Sequence, residues 1–178
     1  YLHKLRELTK KSGIILIFDE VITGFRIGAG GSQEFFGIEA DICTYGKIMG
    51  GGMPIGVVAG KTTYMDCVDG GMWQFGDDSV PTVNDRRTLA TGTFCHHGLA
   101  MSATKTMLEY IENNKEWMYK ELNDKTNGLV NRLNDMFVEY GAPFRVVNFG
   151  SLFRFTNVMY YKQDIFFYSL VAKGLYIW

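Results

Sequence analysis

DICTYGKIMGGGMPIG, residues 41–56, is the stretch from which the rest of the chain can be interpreted. A short apolar run at residues 42–45 predicts a buried strand, and Lys47, three consecutive glycines and a second apolar run at residues 55–59 follow it. A lysine enclosed between two such strands would lose its hydration. Its pKa would then fall, and its amine would become a nucleophile toward carbonyl groups. Taken alone, however, the stretch favours a solvated lysine in a glycine-rich turn.

The apolar run upstream changes that balance. GIILIF, residues 13–18, is rich in β-branched side chains and predicts a strand covered on both faces, ending at Asp19 and Glu20. Carboxylates at the end of a buried strand stand where open α/β sheets bind ligands. An acid and a lysine at two strand ends fit pyridoxal phosphate, which needs a lysine for its aldehyde and an acidic partner for its ring nitrogen. The simpler alternative is that Asp19 caps the next turn and Glu20 is solvated.

Three segments, taken together and in this order, resemble the class III aminotransferases of fold type I. They are LIFDEVITGFR at residues 16–26, ADICTYGKIMGGGMPIG at residues 40–56 and TGTFCHHGLAMSAT at residues 91–104. Within that family the chain is similar to the glutamate-1-semialdehyde aminomutase branch. Inside the branch it resembles the aminotransferase domains of hybrid polyketide–nonribosomal peptide synthases of the mycosubtilin and microcystin type.

The resemblance implies a pyridoxal 5'-phosphate cofactor and a role for each of four residues. Asp19 would pair with the pyridine nitrogen, Lys47 would hold the cofactor as a Schiff base, and Val21 would pack on the face of the ring. Thr93 would reach the cofactor phosphate of the partner subunit. From the residues alone, Thr93 is equally well explained as a helix cap.

Four further residues are left without a role at this level. Residues 69–93 are polar, glycine-bearing and aperiodic, and so long a loop is usually functional or disordered. Within it, Arg86 and Arg87 could touch a substrate carboxylate or a carrier-arm phosphate, or simply face solvent. His96 and His97 could lie near the cofactor, although isolated histidines are more often structural.

Composition excludes several kinds of function. At 178 residues and 47% hydrophobic, the chain can bury a core, and its net charge of −1 gives no basic footprint for nucleic acid. It has no apolar run long enough for a membrane span, and its first residues do not resemble a signal peptide. The cysteines and histidines lack metal-ligand spacing, which predicts buried thiols of a reducing compartment and no metal site. We therefore expect a cytoplasmic protein with neither nucleic-acid nor membrane partners.

The alternation of strands and helices predicts an α/β fold. The resemblance implies part of a fold type I large domain, a mostly parallel sheet with flanking helices, over residues 1–115. Part of a small α+β carboxy-terminal domain would follow over residues 116–178. Helices are predicted at residues 99–111 and 116–140, with a polar break at residues 113–115.

Further elements are expected towards the end of the chain. These are strands at residues 144–147 and 152–155, a helix at residues 164–172 and the start of a strand at residues 175–178. The phosphate-binding loop and ring-stacking aromatic that the family places in an amino-terminal half are missing. We therefore expect a fragment, inactive alone.

The expected activity is transfer of an amino group from an amino acid to a ketone. The acceptor could be a β-ketoacyl group on a carrier protein in secondary-metabolite biosynthesis, and the enzyme would be a homodimer formed through its large domain. One alternative is an aminomutase, which moves the amino group within one molecule. An alternative of another class is a non-catalytic structural or dimerisation segment.

Overall fold

The computed structural model describes residues 1–69, 88–157 and 163–177. These residues form two compact units, Tyr1–Trp117 and Met118–Trp178. Arg86, Arg87 and most of the predicted loop around them lie outside the described residues, as does Trp178.

The first unit contains most of the elements. In chain order these are α1 (Leu2–Lys11), β1 (Ile17–Asp19), α2 (Gly31–Phe36), β2 (Ile42–Gly46), a 3-10 turn (Lys47–Gly50), β3 (Gly56–Gly60) and α3 (Thr62–Asp69). A long helix, α4 (Gly98–Glu139), contributes residues to both units, and β4 (Phe144–Phe149), β5 (Leu152–Asn157) and α5 (Gln163–Ala172) complete the second.

The sheet of the first unit has the order β1-β2-β3. β1 is parallel to β2, with Asp19 beside Thr44, whereas β3 is antiparallel to β2, with Gly46 beside Gly56. The connection from β2 to β3 is shorter than the dozen or more residues that a parallel crossover needs. β3 therefore runs antiparallel to β2. The observed mixture of helices and sheet is that of an α/β fold.

The first strand is shorter and more exposed than its sequence predicts. Only residues 17 and 18 of the apolar run, with Asp19 after them, pair with β2, and Ile17 is 57% exposed, whereas Leu16 is 6% exposed. The prediction of a strand covered on both faces is therefore wrong for the described residues. The physical reason is position, since β1 is at the edge of the described sheet and pairs with a single neighbour.

The predicted break at residues 113–115 does not occur, and α4 is one helix of 42 residues. Polarity alone does not stop a helix when its polar side chains bond along the same helix. Asn114 Nδ2 donates to the Tyr110 carbonyl at 2.7 Å, and Lys115 pairs with Glu112 at 3.0 Å. Backbone geometry ends the helix instead, since Gly141 has φ +60°.

The second unit packs a β-hairpin against the end of α4. β4 and β5 pair antiparallel around Val146, which is 1% exposed and forms a small core with Val130 and Phe137. The Asn134 side chain accepts from the Val146 N–H at 2.8 Å and donates to its carbonyl at 2.9 Å, which fixes β4 to the helix. Residues 175–177 form no strand, contrary to expectation, because no described strand pairs with them. Within the described ranges, no helix is long and apolar enough to cross a membrane.

Candidate active site

Asp19 closes β1, and its side chain is exposed. Its Oδ1 atom accepts two hydrogen bonds, one from the Val21 backbone N–H and one from the Thr44 hydroxyl, each at 3.0 Å. These bonds, first that of Val21 and then that of Thr44, lower the pKa of the carboxyl group, and the charge of Lys47 lowers it further. Asp19 is therefore an anion at neutral pH, as an acidic partner for a ring nitrogen must be.

Lys47 follows β2 directly and begins the 3-10 turn. Its φ is +47°, a value that residues other than glycine rarely adopt. This backbone conformation costs about 1–3 kcal/mol, and such strain is concentrated at functional sites. The side chain is exposed, so the predicted burial of the lysine is wrong for the described residues. Its flanking glycines, Gly46 before it and Gly50 to Gly52 after it, have no side chains with which to cover the amine.

The parallel pairing of β1 and β2 brings Asp19 and Lys47 to the same edge of the sheet, the one at which both strands end. Asp19 and Thr44 are register neighbours, and Lys47 is three residues beyond Thr44. Val21 lies close to Gly46, the residue before Lys47. A Cβ atom added to Gly46 would come within 3.6 Å of Val21 Cγ1 and 3.1 Å of the Ile55 carbonyl oxygen. Three of the four predicted site residues thus meet at one edge.

Thr93 lies elsewhere in the chain, in an exposed turn before α4. Within the described ranges, no hydrogen bond joins it to Asp19 or Lys47. His96 and His97 are also exposed, and His97 Nδ1 accepts from the Ala100 N–H at 3.3 Å, so His97 caps the start of α4. A cavity of about 340 Å³ is lined by other residues, which are Phe25, Ala29, Leu108, Glu109, Ile111 and Glu112.

Glu20 has a role that sequence reasoning missed. It is 1% exposed, so the alternative of a solvated Glu20 is wrong. Its carboxylate accepts from the backbone N–H groups of Ser32 at 3.1 Å and Gln33 at 3.0 Å, and from the Thr23 hydroxyl. The loop that follows Asp19 is thereby tied to the start of α2. No local signal in the sequence could have found this role, because the bonded residues of α2 are 12 and 13 positions away from Glu20.

Asp41, the first residue of the stretch at residues 41–56, also has a role that the sequence does not reveal. It is 5% exposed and accepts from the Leu16 N–H at 2.8 Å, from Arg6 at 2.9 Å and from Lys61 at 3.2 Å. The Leu16 bond is the largest of the effects that lower the pKa of Asp41 to about 2. Asp41 therefore joins the segment before β1 to the segment before β2, at the starts of the two strands.

The edge of the sheet has the chemistry that a flat, cationic heteroaromatic aldehyde requires. An ionised carboxylate can hold a protonated ring nitrogen, and within the described residues no donor bonds to Asp19 Oδ2, which is left to do so. An exposed primary amine beside it, that of Lys47, can condense with an aldehyde. The residues present thus fit pyridoxal phosphate.

Known proteins are similar to this chain over its whole length. The family described as aminotransferase class-III matches residues 1–178. Glutamate-1-semialdehyde 2,1-aminomutases of Methanococcus maripaludis and Methanococcus vannielii are 35% and 37% identical over 99% of this chain. This chain spans 40% of the length of each of these relatives.

Solved structures of transaminases also resemble the chain. An omega-transaminase from Sphaerobacter thermophilus has a TM-score of 0.78 at 29% identity, over 99% of this chain and 40% of that one. A structure described as a transaminase with PLP bound has a TM-score of 0.76 at 26% identity, over 97% of this chain and 39% of that one. A β-phenylalanine aminotransferase from Variovorax paradoxus, at 24% identity and a TM-score of 0.71, covers 98% of this chain and 40% of that one and shares the fold.

Proposed function

The chain belongs to the class III aminotransferases, and from this premise we propose that the protein transfers amino groups with the help of pyridoxal phosphate. The observation that carries the proposal is the meeting of Asp19 and Lys47 at the ends of two adjacent parallel strands. Because the chain spans 40% of its relatives' length, the activity is proposed for the whole protein.

Each residue at the sheet edge has a defined task in this proposal. When bound, pyridoxal phosphate supplies an aldehyde that condenses with amines and a cationic ring that accepts electrons from the substrate. Asp19 holds the proton on the ring nitrogen through its anionic carboxylate. The Lys47 amine would hold the aldehyde of the cofactor and, once freed by the amino donor, would move the α-proton of the substrate as general base and acid.

Val21 and Thr93 complete the proposed set. Val21 lies against Gly46, just before the lysine, which supports a role in packing on the face of the ring. Thr93 is exposed, so its hydroxyl is accessible to the cofactor phosphate of a second subunit in a homodimer. In this scheme residues 1–115 belong to the large, cofactor-binding domain, and residues 116–178 belong to the small carboxy-terminal domain.

The proposed substrates are an amino acid as donor and a ketone as acceptor. The sequence resemblance to the aminotransferase domains of hybrid synthases favours a β-ketoacyl group on a carrier protein as the acceptor. That assignment places the protein in secondary-metabolite biosynthesis. Transfer of ¹⁵N from labelled glutamate to a carrier-bound β-ketoacyl group would be the expected result, and transfer to the free keto acid alone would contradict it.

Intramolecular amino transfer is the second candidate, and the relatives named glutamate-1-semialdehyde 2,1-aminomutase favour it. A single assay separates the two activities. An aminomutase converts glutamate-1-semialdehyde to 5-aminolevulinate without an external donor, whereas an aminotransferase consumes one donor molecule per product. A protein that neither transfers nitrogen nor shows the visible band of a lysine-bound cofactor would instead be the structural segment considered above.

A further inference from the structure

Thr44 stands beside Asp19 in the parallel register, and its hydroxyl donates to Asp19 Oδ1 at 3.0 Å. The Val21 N–H donates to the same oxygen at the same distance. Both donors thus engage one oxygen, and no described residue bonds to the other, Oδ2. A carboxylate held in this way cannot turn about its Cβ–Cγ bond without breaking two hydrogen bonds.

We propose that Thr44 is a positioning residue, which fixes the Asp19 carboxylate so that Oδ2 is the oxygen offered to the cofactor ring. The inference rests on the proposed function, which supplies the cofactor. It goes beyond that function in assigning a task to a residue that would touch neither cofactor nor substrate.

The surroundings of Thr44 suit a fixed donor. Its carbonyl oxygen accepts from the Glu20 N–H at 2.9 Å, and Glu20 is 1% exposed and bonded to the start of α2. The backbone of Thr44 is therefore held on the side of Asp19 by a buried neighbour. Threonine is also stiff at χ1, so its hydroxyl keeps one direction better than that of serine would.

The two hydrogen bonds also act on the charge of the carboxylate. They favour the ionised form, and they lower the pKa of Asp19 in the order Val21, then Thr44. Removal of the Thr44 hydroxyl should therefore loosen the carboxylate and raise its pKa together. If Thr44 only stabilised the strand, its replacement would change neither the freedom of the Asp19 carboxylate to turn nor its pKa.

The test compares Thr44→Val, which keeps the shape but loses the donor, with Thr44→Ser, which keeps the donor. In the cofactor-free protein, ¹³C NMR titration should show that the Asp19 carboxyl pKa rises in Thr44→Val and stays near the wild-type value in Thr44→Ser. With cofactor, the rate of the first half-reaction should fall about tenfold in Thr44→Val, the factor that corresponds to a loss of about 1.4 kcal/mol, with an unchanged KM for the donor.

Three results overturn the inference, in distinguishable ways. A wild-type titration and a wild-type rate in Thr44→Val, in a protein that still forms its lysine–cofactor adduct, would overturn the positioning role alone. Absence of that adduct in the wild-type protein would overturn the proposed function, and the catalytic part of this inference with it. A lowered Tm without any change in the Asp19 titration would show that Thr44 is merely structural.

Discussion

Asp19 shows most clearly how one residue can set the chemistry of the site. Its exposed carboxylate is ionised at neutral pH, and the Val21 and Thr44 donors and then the charge of Lys47 lower its pKa below the ordinary value. Asp19→Asn keeps the shape of the side chain but loses the charge that holds a proton on the ring nitrogen. We expect the variant to bind cofactor and to abstract the α-proton roughly 10²-fold more slowly, the scale on which loss of a preorganised electrostatic group is felt.

Single-turnover absorbance measurements on the whole protein would provide that rate. The matched control is Asp66→Asn, which changes an exposed aspartate of α3. A wild-type rate in Asp19→Asn would remove Asp19 from the mechanism.

Asp41 predicts how stability depends on pH. Its pKa is about 2 in the folded chain and 3.8 without the fold. A depressed pKa stabilises the folded state above pH 3.8, and that stability is lost as pH falls from about 4 to about 2. The Asp41 charge should contribute on the order of 2 kcal/mol to the free energy of unfolding at pH 7.

Asp41→Asn should therefore lower the free energy of unfolding at pH 7 and flatten its decline between pH 4 and pH 2. Urea denaturation at a series of pH values measures both effects. Asp135→Asn, an exposed aspartate of α4, is the control that should change neither. If the free energy of unfolding of Asp41→Asn declined between pH 4 and pH 2 as it does in the wild type, the Leu16 and Arg6 contacts would not hold the carboxylate.

At the scale of elements, the connection from β1 to α2 depends on one buried carboxylate. Glu20→Gln replaces an acceptor oxygen by an NH₂ group, which would face backbone N–H donors of Ser32 or Gln33. A buried donor left without a partner costs about 1–3 kcal/mol, and we expect that loss in the free energy of unfolding.

Hydrogen exchange locates the effect of that substitution. The Ser32 and Gln33 amides should exchange faster in Glu20→Gln, whereas Glu139→Gln, which changes an exposed glutamate at the end of α4, should leave them as they are. Unchanged protection of both amides would mean that Glu20 does not cap α2.

The elements also show how far the sequence reaches. The strand end at Asp19 and the turn at Lys47 could be predicted, because apolar runs, acids and glycines are local signals. The roles of Glu20, Asp41 and Thr44 could not, since each depends on a donor distant in sequence or on strand register. The predicted break in α4 is wrong for the opposite reason, because local polarity indicates a stop although the side chains bond along the helix.

At the scale of the whole molecule, family membership settles the fold but does not explain the exposure of Lys47. The described residues leave its amine exposed, and the chain spans 40% of its relatives' length. Exposed apolar side chains on the edge strands, with Ile17 and Val58 each at 57%, show that the described sheet is not covered by its own residues. We therefore expect the lysine to be enclosed in the whole protein, by residues other than these.

One measurement tests the central claim most directly, namely borohydride reduction of the whole protein with pyridoxal phosphate, followed by peptide mapping by mass spectrometry. We expect one stoichiometric adduct on Lys47, lost in Lys47→Ala and kept in Lys10→Ala, which changes an exposed lysine of α1 in the same unit. A full-strength adduct on a different lysine, present also in Lys47→Ala, would contradict the assignment of the active site to this edge of the sheet.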